Sequence, residues 1–312
     1  MNKVLILFFI WANYSVSQEL IVPIPQKLEY HHQKASLGKK LFFDVRLSRD
    51  NTIACTSCHF LLDGGDDNMA VSQGIGGKKG IRNSPTVFNS RYNSVQFWDG
   101  RAKNLLEQVE GPIHNPVEMG SNYSEIIAKL NHDKNYIREF SLLYKNGISK
   151  YSIDDAIGEF EKSLVTPNSR FDKFLRGDKK ALTKNELDGY MLFKEYGCIS
   201  CHNGINVGAN LMQKIGVVEA FDTVDFGKYN YTKKEEDKFY FKVPSLRNVE
   251  LTAPYFHDGK VKTLKDAVEK MAIHQIGYPL EDNEIEKIIS FLKTLTGDTP
   301  LTVRGGYEKN NY

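Results

Sequence analysis

Two short strings in this 312-residue chain carry the same chemistry: Cys55-Thr56-Ser57-Cys58-His59 and Cys198-Ile199-Ser200-Cys201-His202. At the spacing Cys-x-x-Cys-His, two thiols add to the two vinyl groups of one porphyrin, and the imidazole that follows is left to bind its iron. The two strings use all four cysteines, so no thiol remains for a disulfide. The competing chemistry is zinc, for which two Cys-x-x-Cys pairs supply four thiolates. A His directly after each pair, the long stretch between the pairs and an export signal at the N-terminus favour haem.

A haem iron is a carrier or a catalyst according to its sixth position. A firm ligand such as a Met thioether favours electron transfer, and an open position favours reaction with a small oxidant. Downstream of His202 the best ligand candidate is Met271, at the distance axial Met residues often keep, with His274 and Met212 as competitors. A Met more often fills a gap in a core, so spacing alone does not decide it.

Helices must hold these groups. Leu37, Leu41 and the Phe42-Phe43 pair predict a short helix before the first haem string. The stretch Asp63 to Gly80, dominated by Gly, Asn and Asp, predicts a loop. Helical patterning resumes near Leu105 and again from Ser124 to Tyr144. Val165 to Asp178 read as a join, with Pro167, Asn168 and Ser169 breaking the pattern. Thr183 and Glu186 form a capping box for a helix that runs to about Tyr196 and delivers Cys198. Ile285, Ile288, Ile289, Leu292 and Leu295 fall on one face of a last helix, with Gly297 placed to end it. The flanks of the two haem strings differ. The expected fold is mainly α, as two c-type cytochrome domains over residues 18–164 and 165–312, each with one covalent haem.

Residues 1–17 read as a signal peptide: Lys3, then the apolar run Val4 to Ala12, then Ser15-Val16-Ser17 before Gln18. The run is too short to span a bilayer comfortably, and no later stretch is apolar enough. The mature protein is therefore expected in the periplasm, without a membrane span. The formal net charge of +2 argues against nucleic acid as a partner.

Longer motifs carry a resemblance. Leu37 to Asp44 (LGKKLFFD), Arg82 to Thr86 (RNSPT), Phe97 to Arg101 (FWDGR), Asn115 to Met119 (NPVEM), Pro244 to Val249 (PSLRNV), Pro254 to Gly259 (PYFHDG) and the Met271 segment stand in the order found in bacterial di-haem cytochrome c peroxidases. The chain resembles that family over most of its mature length. The resemblance implies reduction of hydrogen peroxide to water with electrons from a small periplasmic cytochrome c or blue copper protein, and a homodimer. It makes the His59 haem the low-potential peroxidatic centre and the His202/Met271 haem the electron-entry centre. Trp98 matches the tryptophan between the haems, and without that match it reads as a core aromatic. Glu118 and Gln108 match the acid and its polar neighbour in the peroxide pocket. A carboxylate there would shuttle the peroxide proton, with its pKa raised by burial; outside the motif it reads as a solvated loop carboxylate. Asn83, Thr252 and Pro254 match a structural calcium site, the last two through backbone carbonyls.

One departure stands out. Many members of the family carry a distal His in the Gly-rich loop that ligates the peroxidatic haem until the other haem is reduced. Ile75 holds that position here, and no His lies between His59 and His114. The expectation is a peroxidatic haem that needs no reductive activation, unless Met69, Met119 or His114 supplies a ligand. MauG-type di-haem enzymes, which oxidise residues of a partner protein, also lack the loop His but use Tyr where Met271 stands. A plain di-haem electron carrier would need neither an open iron nor an acid beside it.

Overall fold

The computed structural model describes residues 19–304; the expected leader, residues 1–17, lies outside them. The described residues are mainly helical. In chain order the helices are α1 (His32–Phe42), α2 (Leu105–His114), α3 (Tyr123–Leu130), α4 (Lys134–Leu143), α5 (Lys150–Ser163), α6 (Arg170–Leu175), α7 (Lys184–Glu195), α8 (Tyr229–Thr232), α9 (Leu264–Met271), α10 (Asp282–Lys293) and α11 (Leu301–Arg304). A single antiparallel pair, β1 (Met212–Lys214) and β2 (Tyr240–Lys242), sets Met212 opposite Lys242.

Most helices start where a short polar side chain can accept an orphan N–H. Asn104, Asn122, Asp133, Ser149, Ser169, Thr183 and Thr263 each cap one this way. The expected capping box of Thr183 and Glu186 is present on α7. The stretch expected to be helical from Ser124 to Tyr144 is two helices. Asn131 ends α3, and Asp133 immediately caps α4, so the chain turns where two helix-terminating side chains stand almost together. Gly297 does not end the helix expected around Ile285 to Leu295, which is α10 and closes at Thr294. It serves close approach instead: a Cβ there would collide with the carbonyl of Thr166.

Two hydrophobic cores form. One gathers side chains from Leu37 to Leu164 and adds Val303; the other gathers Phe171 to Leu295 and adds Ile21. The chain ends cross over. Ile21 bridges to Gly204, Ile24 N–H donates to Asp172, and Lys39 Nζ donates to the carbonyl of Thr302. A cut at residue 164 leaves each core holding a short piece from the other end of the chain. The buried pair Arg247–Asp172, with both side chains at 0 % exposure, clamps the N-terminal segment: Asp172 accepts from Ile24 N–H and Arg247 donates to Val22 O.

Each core is built on one helix crossing. α1 crosses α5 at Gly38, where a Cβ would strike the carbonyl of Ala156. α7 crosses α10 at Gly189, where a Cβ would strike the carbonyl of Lys287. Four residues past each glycine an aromatic ring sits beside the haem-string histidine: Phe42 lies 6.3 Å from His59 and Phe193 lies 6.4 Å from His202. The flanks therefore repeat after all, as Gly-x-x-Leu-Phe before each haem string.

A second repeat follows each string. Phe97-Trp98-Asp99-Gly100-Arg101 and Phe256-His257-Asp258-Gly259-Lys260 both open on a left-handed Phe, with φ of 65° and 67°. Each is closed by an antiparallel bridge, Gln96 to Ala102 and Tyr255 to Val261.

These crossings predict opposite outcomes for two glycines of the first core. Gly38→Ala should destabilise by about 1–3 kcal/mol through overpacking. Gly158→Ala in α5, where a Cβ meets only side chains at 3.8 Å or more, should stabilise by about 0.5–1 kcal/mol through helix propensity. Thermal unfolding of the two variants checks the pair; equal effects would contradict the crossing.

Candidate active site

Each haem string forms one tight turn, Cys55–Ser57 and Cys198–Ser200. The histidine N–H then donates back to the first cysteine carbonyl, at 3.1 Å for His59 and 2.9 Å for His202. The turn sets two thiols and an imidazole on one side of the chain.

The two sets line different cavities. Cys55, Cys58 and His59 line a cavity of about 920 Å³. Cys198, Cys201 and His202 line a second, of about 440 Å³. Both lie in the size range of cofactor pockets. Because the pairs face separate cavities, they cannot join in one four-thiolate zinc site. Burial also pushes the thiols away from thiolate, Cys58 and Cys198 each to about 11. Apolar slots with neutral thiols at their edges fit a porphyrin.

The histidines are prepared differently. His59 Nδ1 lies 3.1 Å from the carbonyl of Gly65. A carbonyl only accepts, so Nδ1 carries the proton and Nε2 is left for a metal. His202 Nδ1 makes no hydrogen bond of good geometry, although the carbonyls of Val207 and Pro244 face it. Burial pushes the His202 pKa down to about 4, so the ring is neutral and able to ligate.

Of the three ligand candidates downstream, Met271 lines the second cavity; Met212 and His274 do not. Met271 ends α9 where the chain passes into a turn of π-helix, Ala272–Ile276, a local widening often found at functional positions. His274 is turned away, with its Nδ1 3.1 Å from the carbonyl of Glu219.

The first cavity is chemically richer. Glu118 and Gln108 both line it. Burial raises the Glu118 pKa, while a hydrogen bond from Asn115 Nδ2 at 2.6 Å and the charge of Arg101 hold it back. Arg82 and Arg101 are tied to Asp99, and Arg82 also to Asp225. Glu161 lies deeper, with its pKa pushed up to about 8 by burial. Met119 reaches this cavity from the hydrophobic core, whereas Met69 and His114 do not line it. Ile75 does not line it either. Its N–H donates to the carbonyl of Glu118 at 2.7 Å, and its side chain rests over Gly120.

Trp98 lines both cavities, the only aromatic residue to do so among those described. Its Nε1 donates to the carbonyl of Asn83 at 2.9 Å, and its ring stands edge-on to His257 at 6.4 Å. Asn83, Thr252 and Pro254 all line the second cavity. Asp66, with both oxygens buried and unpartnered, lies beside Leu251, and burial pushes its pKa up to about 7.

Sequence reasoning did not single out Asp66, Glu161, His257 or Lys242. His257 had a local signal, since it occupies the place in the second Phe-x-Asp-Gly string that Trp98 occupies in the first. Lys242 had none, because a buried lysine is recognised only from its surroundings.

Two cavities, each edged by a Cys-x-x-Cys-His turn and meeting at one tryptophan, define a di-haem c-type redox protein. Comparison with known proteins places it further. The family profile of di-haem cytochrome c peroxidase matches residues 32–180. The chain is 48% identical over 300 residues to cytochrome c551 peroxidase of Nitrosomonas europaea, covering 94% of this chain and 88% of that one. It is 48% identical over 285 residues to cytochrome c peroxidase Ccp of Escherichia coli K12, covering 89% of this chain and spanning 61% of that longer protein. Its fold matches the crystal structure of a MauG-like protein associated with microbial copper homeostasis, with a TM-score of 0.77 at 28% identity, over 92% of this chain and 96% of that one. The chain belongs to the di-haem cytochrome c peroxidase family, whose members carry two covalently bound haems c and act on peroxide.

The separate cavities predict separate attachment. A chain with Cys198→Ala and Cys201→Ala should keep one covalent haem on the first string, read as the loss of a single haem from the intact mass. Loss of both haems would contradict the independence of the two sites.

Proposed function

We propose that this chain reduces hydrogen peroxide to two waters with two protons and two electrons from a small periplasmic donor, a mono-haem cytochrome c or a blue copper protein. One observation carries the reading: the cavities on either side of Trp98 are unequal. The first is about twice the volume of the second and is lined by carboxylates, including Glu118; among the described residues no Asp or Glu lines the second, which Met271 faces. Bound haem supplies the iron at which the peroxide O–O bond is cleaved and the ring system that takes up electrons.

The protein groups do the rest. His59, its tautomer fixed by Gly65, holds the first iron, and His202 with Met271 holds the second. Glu118 takes the proton from the peroxide oxygen and returns it to the departing oxygen, which leaves as water. Burial supports that role by keeping its proton affinity above that of a solvated carboxylate. The Gln108 amide, half-buried in the same wall, hydrogen-bonds the substrate. Trp98 bridges the two centres. Asn83 and the backbone carbonyls of Thr252 and Pro254 would hold a calcium ion in the wall of the second cavity. Met271 facing the second cavity supports a peroxidase over a MauG-type oxidation of a partner protein. The N-terminal apolar run supports export to the periplasm, and family likeness alone supports a homodimer.

Ile75 cannot ligate iron, Met69 and His114 do not line the first cavity, and Met119 is packed in the hydrophobic core; with Met119 held there, the first centre is open in the oxidised enzyme. Electron paramagnetic resonance of the fully oxidised protein should then show a high-spin component. Low-spin six-coordinate signals from both haems would contradict an open centre.

Glu118→Gln tests the catalytic assignment. Turnover should fall by about 10²–10⁴-fold with both haems still attached. The active form is the carboxylate, so wild-type activity is lost as the pH falls through the Glu118 pKa, which burial places above the ordinary glutamate value of about 4.3. The variant should lack that acid limb. Unchanged turnover would remove Glu118 from the mechanism.

A further inference from the structure

Lys242 lies at the end of β2, in the wall that both cavities share. Its peptide N–H donates to the carbonyl of Trp98 at 2.7 Å, which fixes the residue beside the bridging tryptophan. Lys242 is 7 % exposed, and no carboxylate among the described residues pairs with it. A buried ammonium without a counter-charge costs several kcal/mol, and burial alone pushes the Lys242 pKa down to about 8; an anion that occupies the cavities would keep the ammonium charged.

No carboxylate of the first cavity offers Lys242 a counter-charge. Asp99 and Asp225 are held by Arg82 and Arg101, Glu118 is held by Asn115, and Glu161 is buried with an unpartnered oxygen, its pKa pushed up to about 8 so that it holds its proton. Among the described residues no Asp or Glu lines the second cavity, while Lys242 and Lys214 both reach it. An apolar slot with a buried cation at one end and no internal anion is built for a flat apolar group that carries its own carboxylates. The haem proposed for this cavity has two, its propionates.

We propose that the Lys242 ammonium pairs with a propionate of the second haem at the wall between the two centres, and so holds that haem at a higher reduction potential than a neutral side chain would. This rests on the haem assignment above. Reduction adds negative charge at the iron, and a fixed positive charge nearby favours it. The first haem, with Arg82 and Arg101 already lining its cavity, depends on Lys242 less. Lys242 is a positioning and potential-setting residue and touches neither peroxide nor iron.

The test is a spectroelectrochemical titration of the two-haem protein carrying Lys242→Gln, Lys242→Met or Lys242→Arg. Intact mass first counts the haems: a wild-type chain with fewer than two would overturn the haem assignment itself. In the Gln and Met variants the second haem should be harder to reduce by about tenfold in equilibrium constant, which is 59 mV for one electron. The first haem should shift less, and the Arg variant should stay close to wild type. A neutral variant that takes up the first haem and fails to retain the second also supports the pairing. Gln or Met variants that hold both haems at wild-type potentials, or in which only the first haem shifts, would overturn it.

Discussion

Two crossed peptide hydrogen bonds fix the relation between the halves of this protein. Asn83 N–H donates to the carbonyl of His257 at 2.8 Å, and Lys242 N–H donates to the carbonyl of Trp98 at 2.7 Å. Each donor stands two residues before a proline, Pro85 or Pro244, and each acceptor stands in a Phe-x-Asp-Gly string. The bonds thus join equivalent points of two repeats in a reciprocal way. Buried peptide groups must find partners, so this exchange locks the two walls into one. The chain then presents a single shared partition with a cavity on each side. Trp98 fills it, with its indole N–H tied to Asn83 O. The linker between the cores is held just as closely: Thr166 is bonded to both Asn89 and Asn248 within the buried interior.

On this symmetric frame the chemistry is made unequal by side chains. Trp98 on one side corresponds to His257 on the other, and Asn83 corresponds to Lys242. The first cavity gains carboxylates, the Gln108 amide and two arginines; the second gains the Met271 thioether, and the buried Lys242 stands in the wall between them. The loop around Ile75 is pinned by its peptide to Glu118, so the segment that could close the first centre instead supports the acid of that centre. Duplicated helices position the haems, and local substitutions divide the labour between them.

The strongest features were legible in the chain itself. The two haem turns, the loop from Asp63 to Gly80 and the capping box on α7 depend on neighbours in sequence, and those rules are local. Met271 was the leading ligand candidate by spacing and by resemblance, and its place on the wall of the second cavity, which Met212 and His274 do not line, supports that choice. The helix expected across Asn131 breaks because two terminating side chains nearly coincide there. Gly297 carried a misleading signal: a glycine after a helix reads as a cap, but here it lets the chain pass the carbonyl of Thr166. The repeats around Phe42 and Phe193 were present as strings, but they carry meaning only once both rings are placed beside their histidines. Lys242 and Asp66 were invisible for a different reason, since an unpaired charge has meaning only through what surrounds it.

The central claim is that the first centre is open to peroxide in the oxidised protein while the second collects electrons. Steady-state peroxide reduction by the fully oxidised two-haem protein, supplied with a reduced mono-haem cytochrome c, tests this most directly when compared with the same protein reduced beforehand. Equal rates from the first turnover are the predicted result. Activity that appears only after prior reduction would show a closed first centre and contradict the account.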